Sequence, residues 1–400
     1  MLWRINTPAG GHAALVGHFL ILWAIYLILR PIQTRRTRLW VLLISLSVLT
    51  HFYLFAIVAM LWITDLANHR FIQRDISNKS FLQEIFLGLF CTLVIAWQAG
   101  YFVISASLNS DRGYGFYGMN VLGLADSQGW SYVFRSFTHP SSWGEGFSYL
   151  GLGVLIAGVA ALLSLFSKHP SNRKALLNFF RDHRFLGALI IFLAIFAVSN
   201  RVGLAGYSFT YPLPAWLTRI ADVLRSSARL FWPVQYLLMV GIFIAIVRLY
   251  PRKVALIILS GSFFIQAADT SKGWLLNRKQ LAHYHSTDEH VHNLSNRFWV
   301  DAAMHYHHLT LVPSVNRPPN WENFSIYAAT NGMTTNAVHM ARVDLGKQEA
   351  SNLKLNQQID TGAFDAETLY IVENRFVIAA LATAPESAAI AKVDTFNVIA

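Results

Sequence analysis

The sequence predicts a mainly α-helical fold, a polytopic transmembrane helical bundle followed by a small α/β soluble domain. Three observations lead there. Long apolar stretches recur between residues 13 and 267. The loops joining them are either crowded with Lys and Arg or nearly free of both, and cytoplasmic loops are the ones that retain basic residues. Past Ala268 the long apolar runs stop.

Composition agrees with this class. Of 400 residues, 54% are apolar and 13% charged, well below the roughly 25% charge of ordinary soluble domains. Mean hydropathy is +0.40. A net charge of +11 would suit nucleic acid, yet from Thr270 onward 10 Lys and Arg face 12 Asp and Glu, while the preceding residues hold 22 against 9. Basic charge beside apolar spans is a topology and lipid-headgroup signal. No nucleic-acid motif accompanies it, so membrane lipid is the expected partner and nucleic acid is not. The single cysteine, Cys91, excludes an intrachain disulfide and a Cys-based metal site. Near the start, Arg4 is followed by Pro8, Gly10 and Gly11, and no small-residue cleavage site follows the first apolar run. This segment reads as a loop continuing from something upstream, not as a signal peptide.

Taken in order, the expected spans are Ala13–Leu29, Leu39–Ala67, Ile85–Ile104, Phe147–Phe166, Phe185–Ser199, Leu230–Val247 and Val254–Ala267. About 20 helical residues cross a bilayer core, and most of these suffice. Basic residues crowd loops 30–38, 69–82, 168–184 and 248–253, which places all four in the cytoplasm. Both ends of Leu39–Ala67 then face the same side. Its 29 residues are too few for two crossings, which need about 40. The polar pair Thr50-His51 interrupts it, so a re-entrant helical hairpin with His51 near the turn is expected; a single tilted helix is the alternative. Such a break is tolerated only where protein or a wet cavity covers it.

The opposite face receives Leu108–Gly146, Asn200–Arg229 and the soluble domain, expected over residues 269–400 with its boundary at Ala268–Ser271. Within that domain, Leu309–Val312, Leu369–Val372 and Phe376–Ala379 are short β-prone runs. Trp321–Ala329 has apolar residues at helical spacing, with Asn320 as its expected N-cap. Asp365 opens a cap or turn.

The outside loops hold the candidate chemistry. In the first, Tyr114, Tyr117, Asn120 and Trp130 lie among glycines that let backbone approach a ligand closely. Asp126 and Glu145 are its acidic groups best placed for general-base work. Interfacial anchoring of the same aromatics is the plainer alternative. In the second loop, Arg225 and Arg229 are spaced i, i+4, so one helix would present both guanidiniums on one face. Their forked geometry suits phosphate; snorkelling, or an Asp222–Arg225 pair, is the alternative. The histidines at 283, 285, 290, 292, 305, 307 and 308 match no fixed zinc spacing, and solvated or capping roles are expected. No metal site and no cofactor are read from these residues; a divalent cation is not derivable. His18, His51 and Gln98 lie within apolar stretches and should hydrogen-bond between helices. Proton-coupled transport is disfavoured because paired intramembrane carboxylates are not evident.

The segments Tyr-Gly-Phe-Tyr-Gly-Met-Asn-Val-Leu-Gly-Leu from Tyr114, Gly-Glu-Gly-Phe-Ser-Tyr-Leu-Gly-Leu-Gly from Gly144 and Arg-Ser-Ser-Ala-Arg-Leu-Phe-Trp-Pro from Arg225 resemble a bacterial family of polytopic membrane proteins of unknown function. His51-Phe-Tyr-Leu-Phe with Trp62 and Asp65, and Tyr327-Ala-Ala-Thr-Asn-Gly-Met in the tail, are similar to the same family. That family looks like the GT-C class of glycosyltransferases, which use polyprenyl-phosphate-linked sugars at the outer face of the inner membrane. The resemblance implies an inner-membrane protein with a periplasmic C-terminal domain that transfers sugar from a lipid-phosphate donor to a glycan acceptor. Arg225 and Arg229 would clamp the lipid phosphate, and Tyr114, Tyr117, Asn120 and Trp130 would line the substrate loop. GT-C enzymes carry an acidic motif in the first outside loop, and no carboxylate precedes the first span here. The chain therefore looks like the C-terminal part of such a protein. A non-catalytic subunit of a glycan-assembly machine is the rival expectation, with Asp126 and Glu145 then shaping the site.

A topology reporter placed at residue 75 tests the hairpin. Activity confined to the cytoplasm is expected; activity outside the membrane returns Leu39–Ala67 to a single crossing.

Overall fold

The apolar stretches fold as helices, and side-chain caps at His51 and Ser77 start two of them. The computed structural model describes residues 13–30, 36–102, 113–137, 147–166, 181–286, 294–340 and 343–400. The fold is mainly helical, with a small mixed sheet near the C-terminus. Four helical segments, Phe52–Gln73, Asn78–Gln98, Ser227–Leu249 and Arg252–Lys279, are long and apolar enough to cross a membrane. Two compact units divide the chain between Leu281 and Ala282.

The first unit opens with a 3-10 turn, Ala13–Val16, and α1, Phe19–Leu29. Next come α2, Arg36–Thr50, and α3, Phe52–Ala67, extended by a π-turn over Asn68–Gln73. His51 separates α2 from α3 in extended backbone, and its imidazole accepts the Tyr53 amide. Arg36, at the start of α2, meets Asp65, at the end of α3. The two helices are therefore antiparallel, with His51 at the tip of a hairpin. Each arm has about the same length, 15 and 16 residues, or roughly 22–24 Å.

α4 spans Asn78–Gln98, starting seven residues before the expected Ile85 and stopping short of Ile104. Ser77 accounts for the early start by accepting the Ser80 amide at 3.1 Å, an N-cap that satisfies an orphan donor. Only Glu84, Gly88 and Ala96 of α4 are buried, while Leu82, Phe86, Phe90 and Trp97 are exposed. An apolar face of that kind suits lipid better than water.

The remaining helices of this unit are α5, Leu152–Phe166, α6, Arg184–Val198, and the short α7, Ala215–Asp222. A 3-10 segment over Ser227–Phe231 leads into α8, Trp232–Leu249, and then α9, Arg252–Ser286. A two-stranded hairpin, β1 Arg201–Leu204 and β2 Tyr207–Thr210, follows α6. The main core joins Leu20, Ile21, Trp40, Leu43, Leu54 and Ile57. A second contact between α5, α8 and α9 is built on Ala157, Ala161 and Ala255 with Ile246, small residues that let helices approach closely.

α9 runs straight through the boundary expected at Ala268–Ser271. Asp269 keeps that stretch in the first unit by accepting from the Ser131 hydroxyl at 2.5 Å and the Tyr149 hydroxyl at 2.7 Å. The indole of Trp130 lies where any side chain at Gly273 would stand. Polar residues here are packing against a loop, and the helix needs no break.

The second unit holds α10, Arg297–His305, then β3, His308–Val312, α11, Trp321–Thr330, β4, Thr334–Thr335, and α12, Leu345–Thr361. It ends with β5, Thr368–Val372, α13, Asn374–Thr383, β6, Ile390–Val393, and β7, Phe396–Ile399. The sheet order is β4-β3-β5-β7-β6. β3 pairs in parallel with β4 and β5, and the last two strands are antiparallel.

Two of the three expected strands form. The third, Phe376–Ala379, lies inside α13, because its continuation Ala380-Leu-Ala is a good helix former and tertiary packing overrides local β-propensity. α11 starts as expected, but Asn320 adopts a left-handed conformation (φ 58°) and its side chain caps nothing. Asp365 does build the expected turn, accepting the Glu367 amide at 3.0 Å.

Asp394 fastens this unit. It sits in the β6–β7 turn, with φ 52°, and its carboxylate accepts from the Trp299 indole at 2.8 Å and the Ser295 amide at 3.2 Å. The Trp299 donor, helped by the Asn296 and Ser295 donors, holds the Asp394 carboxyl below its usual range. A depressed folded value means that the stabilisation is present above the ordinary Asp pKa of about 3.9 and is lost as pH falls through the lower value. A polypeptide of residues 294–400 is expected to melt cooperatively, with Asp394→Asn lowering the Tm at pH 7. The gap between the two should close as pH drops below about 4; a constant gap removes Asp394 as the cause.

Candidate functional site

Three segments meet around the tip of the α2–α3 hairpin. Tyr53, two residues beyond His51, accepts the Ser226 amide through its hydroxyl at 2.9 Å. The Ala228 amide donates to the Tyr117 carbonyl at 3.1 Å, and the Ser227 hydroxyl to the Ala197 carbonyl at 3.3 Å. Tyr53, the 113–122 loop and the stretch leading into α8 thus form one cluster.

Those tethers also correct the expected geometry of the arginines. α7 ends at Asp222, and Arg229 lies in the 3-10 segment beyond a turn. Arg225 and Arg229 are therefore not one turn apart on one helix. Backbone donors at Ser226 and Ala228 are committed to Tyr53 and Tyr117, which diverts the chain from a continuous helix. Arg229 is buried, with its guanidinium 4.8 Å above the Tyr53 ring, while Arg225 is half-buried. Asp222 forms no ion pair with Arg225; its Oδ1 accepts the Tyr114 amide at 2.6 Å.

The expected substrate-loop residues are largely engaged within the fold. Tyr114 donates its hydroxyl to the Phe196 carbonyl at 3.1 Å, and burial pushes that hydroxyl well above its ordinary pKa. Asn120 is buried; its side-chain oxygen accepts the Leu122 amide at 3.0 Å and its nitrogen donates to the Ala205 carbonyl at 2.9 Å. Trp130 packs its ring 5.6 Å from Phe147. Asp126 is also buried, and its Oδ1 accepts the Gln128 and Phe137 amides, both at 3.2 Å. This carboxylate organises its own loop. Glu145 lies outside the described residues.

Of the histidines, the side chains of 283, 285, 290 and 292 lie outside the described residues. His305 bonds the Asp301 carbonyl at 2.9 Å and His308 the Thr334 hydroxyl at 2.6 Å. Among the described residues no group of three His, Cys, Asp or Glu side chains stands ready to hold a metal ion. His18 bonds the Tyr236 hydroxyl across helices at 2.9 Å, as its place in an apolar stretch implied; His51 caps its own helix instead.

A second constellation escaped sequence reasoning. At the open end of the hairpin, Arg36 contacts Asp65 at 2.6 Å and Glu84 at 2.9 Å. Trp40 donates its indole to Asp65 at 2.9 Å and Trp62 to Glu84 at 3.1 Å; Thr37 adds a hydroxyl to Glu84 at 2.8 Å. His69 lies 3.4 Å from Asp65 and 2.9 Å from Asp75. Gly88 is required beside it, because the Trp62 ring fills the space a Cβ would take. Two carboxylates from different helices do meet, contrary to the expectation of none. The available signal was Asp65 and Glu84 themselves, each buried within a largely apolar helix.

The chain belongs to the family described as domain of unknown function DUF6311, whose model matches residues 1–271. Residues 298–400 match the DUF6311 C-terminal domain. No curated protein and no solved structure matches the chain. The membership agrees with the expected family of unknown function.

Removing Arg36 leaves two buried carboxylates without their shared cation. Arg36→Gln is expected to lower stability by about 3–5 kcal/mol, the scale for breaking a buried ion pair by deleting one partner. Thermal unfolding in detergent reads it, and adding Asp65→Asn with Glu84→Gln should restore part of the loss.

Proposed function

We propose that this chain acts in surface-glycan assembly as a GT-C-like membrane protein that recognises a lipid-linked phosphate at the tip of the α2–α3 hairpin. The observation that carries this reading is the Arg229 guanidinium fixed over the Tyr53 ring, at the mouth of the apolar segment Ser227–Leu249. A guanidinium ordered by stacking loses less freedom when its fork engages phosphate oxygens. Arg225, half-buried in the adjoining turn, supplies a second cation. In this reading the ligand is a polyprenyl-phosphate-linked sugar of the bacterial inner membrane, the acceptor is a glycan, and the C-terminal unit is periplasmic.

One observation favours a binding role over catalysis within the described residues. Glycosyl transfer draws on a carboxylate able to take the acceptor proton, and Asp126 spends Oδ1 on two loop amides. The rival reading, a non-catalytic module serving a glycan-assembly machine, gains from that engagement.

Affinity for polyprenyl phosphate tests the proposal, measured on full-length protein in nanodiscs at fixed salt. A charge-assisted contact contributes roughly 1.5–3 kcal/mol, so Arg229→Lys and Arg225→Lys should each bind about tenfold to a hundredfold more weakly. Equal affinity in all three proteins leaves Arg229 as a packing partner of Tyr53 and Arg225 as an interfacial anchor only.

A further inference from the structure

The segment between α6 and α8 carries an apolar surface that the first unit holds outward. In the β1–β2 hairpin, Val202 pairs with Phe209 and Leu204 with Tyr207. Directly paired residues share a face of the sheet, so one face is wholly apolar. The other face carries Arg201 opposite Thr210 and Gly203 opposite Ser208. Tyr207 is 82% exposed, Phe209 65% and Leu204 50%. Downstream, α7 and its C-cap Val223 repeat the pattern at helical spacing: Trp216, Ile220 and Val223 are exposed, while Ala221 is buried.

This exposure is fixed by contacts elsewhere. Asn120 grips Ala205 on both its amide and its carbonyl, and the Val121 amide donates to the Gly203 carbonyl at 2.8 Å. Asp222, at the end of α7, is held by the Tyr114 amide. Tyr211 closes the base of the hairpin by donating its amide to Asn200 at 3.0 Å. The hairpin is thus braced through the backbone of β1, its turn and its base, and α7 through Asp222 and the buried Ala221, with their large apolar side chains left exposed.

We propose that the β1–β2 hairpin and α7 lie in the headgroup layer of the bilayer, with Leu204, Tyr207, Phe209, Trp216 and Ile220 directed toward the acyl chains. Lipid is the occupant for two reasons. The surface is continuous with a lipid-suited one: Arg201 comes three residues after the end of α6, whose Ile191, Phe192 and Ile195 are exposed. Its composition is that of an interfacial belt, where Tyr and Trp sit at headgroup depth, and an amphipathic helix buries its apolar face about 5–10 Å into that layer. Arg201 and Arg219 add cations able to meet lipid phosphates. This inference needs the membrane but not the phosphate reading above, and the two fail separately.

Nitroxide labels report the depth. In a Cys91→Ser background, Tyr207→Cys, Ser208→Cys, Phe209→Cys and Thr210→Cys are labelled in full-length protein and placed in phosphatidylethanolamine–phosphatidylglycerol nanodiscs. Collision with oxygen should dominate at 207 and 209, and collision with a polar nickel complex at 208 and 210, giving a two-residue period. For α7, brominated phosphatidylcholine should quench an emission component that Trp216→Phe abolishes. Nickel access at 207 and 209 equal to that at 208 and 210, or unquenched Trp216, overturns the proposal and leaves the surface open to a protein partner.

Discussion

One guanidinium shared by two carboxylates holds the first unit's architecture together. Arg36 starts α2, Asp65 ends α3 and Glu84 belongs to α4, and the three meet with little exposure. Isolated, any of these charges would be costly in a membrane-like interior. Together, with both indoles and the Thr37 hydroxyl donating to the carboxylates, they fix which ends of three helices lie side by side. Pairing Arg36 with Asp65 also sets the hairpin antiparallel, which carries Tyr53 to the opposite end, where Ser226 and Arg229 find it.

At that opposite end, side chains that look like chemistry mostly satisfy backbone. Asp126, Asp222 and Asn120 accept amides of non-helical chain, and Asp269 ties the Ser131 and Tyr149 side chains to α9. Irregular backbone beside apolar helices has few water partners, so buried amides need protein acceptors. The acids and amides of these loops therefore account for much of the loops' shape, and the buried Arg229 guanidinium stacks on the Tyr53 ring within the same packed region.

How much of this was legible follows from the range of each interaction. Thr50-His51 announced the hairpin break because a polar pair within an apolar run is a local signal, and β3 and β5 were visible as short apolar runs. Arg225 and Arg229 misled: i, i+4 spacing implies one face only if the helix continues, and distant Tyr53 and Tyr117 decide that it does not. The ionic cluster was hidden for the same reason, since Arg36 and Glu84 are 48 positions apart. Composition at Ala268–Ser271 suggested a domain edge; the helix runs through it, and Asp269 there serves a loop packed on the helix.

The shared cation also bears on biogenesis. α2 carries Arg36 and Arg38 without any acidic residue, and α3 carries Asp65 without Lys or Arg. Both charges lie at helix ends, so an arm inserted singly would meet less than the roughly 2.5–3.5 kcal/mol that a central Arg or Asp costs on insertion scales. Insertion as a pair offsets that smaller cost between Arg36 and Asp65. The single-residue link at His51 makes such co-insertion natural, because the translocation machinery receives the second arm almost as soon as the first is complete. Glu84 then arrives with α4, and the cation already in place accepts it.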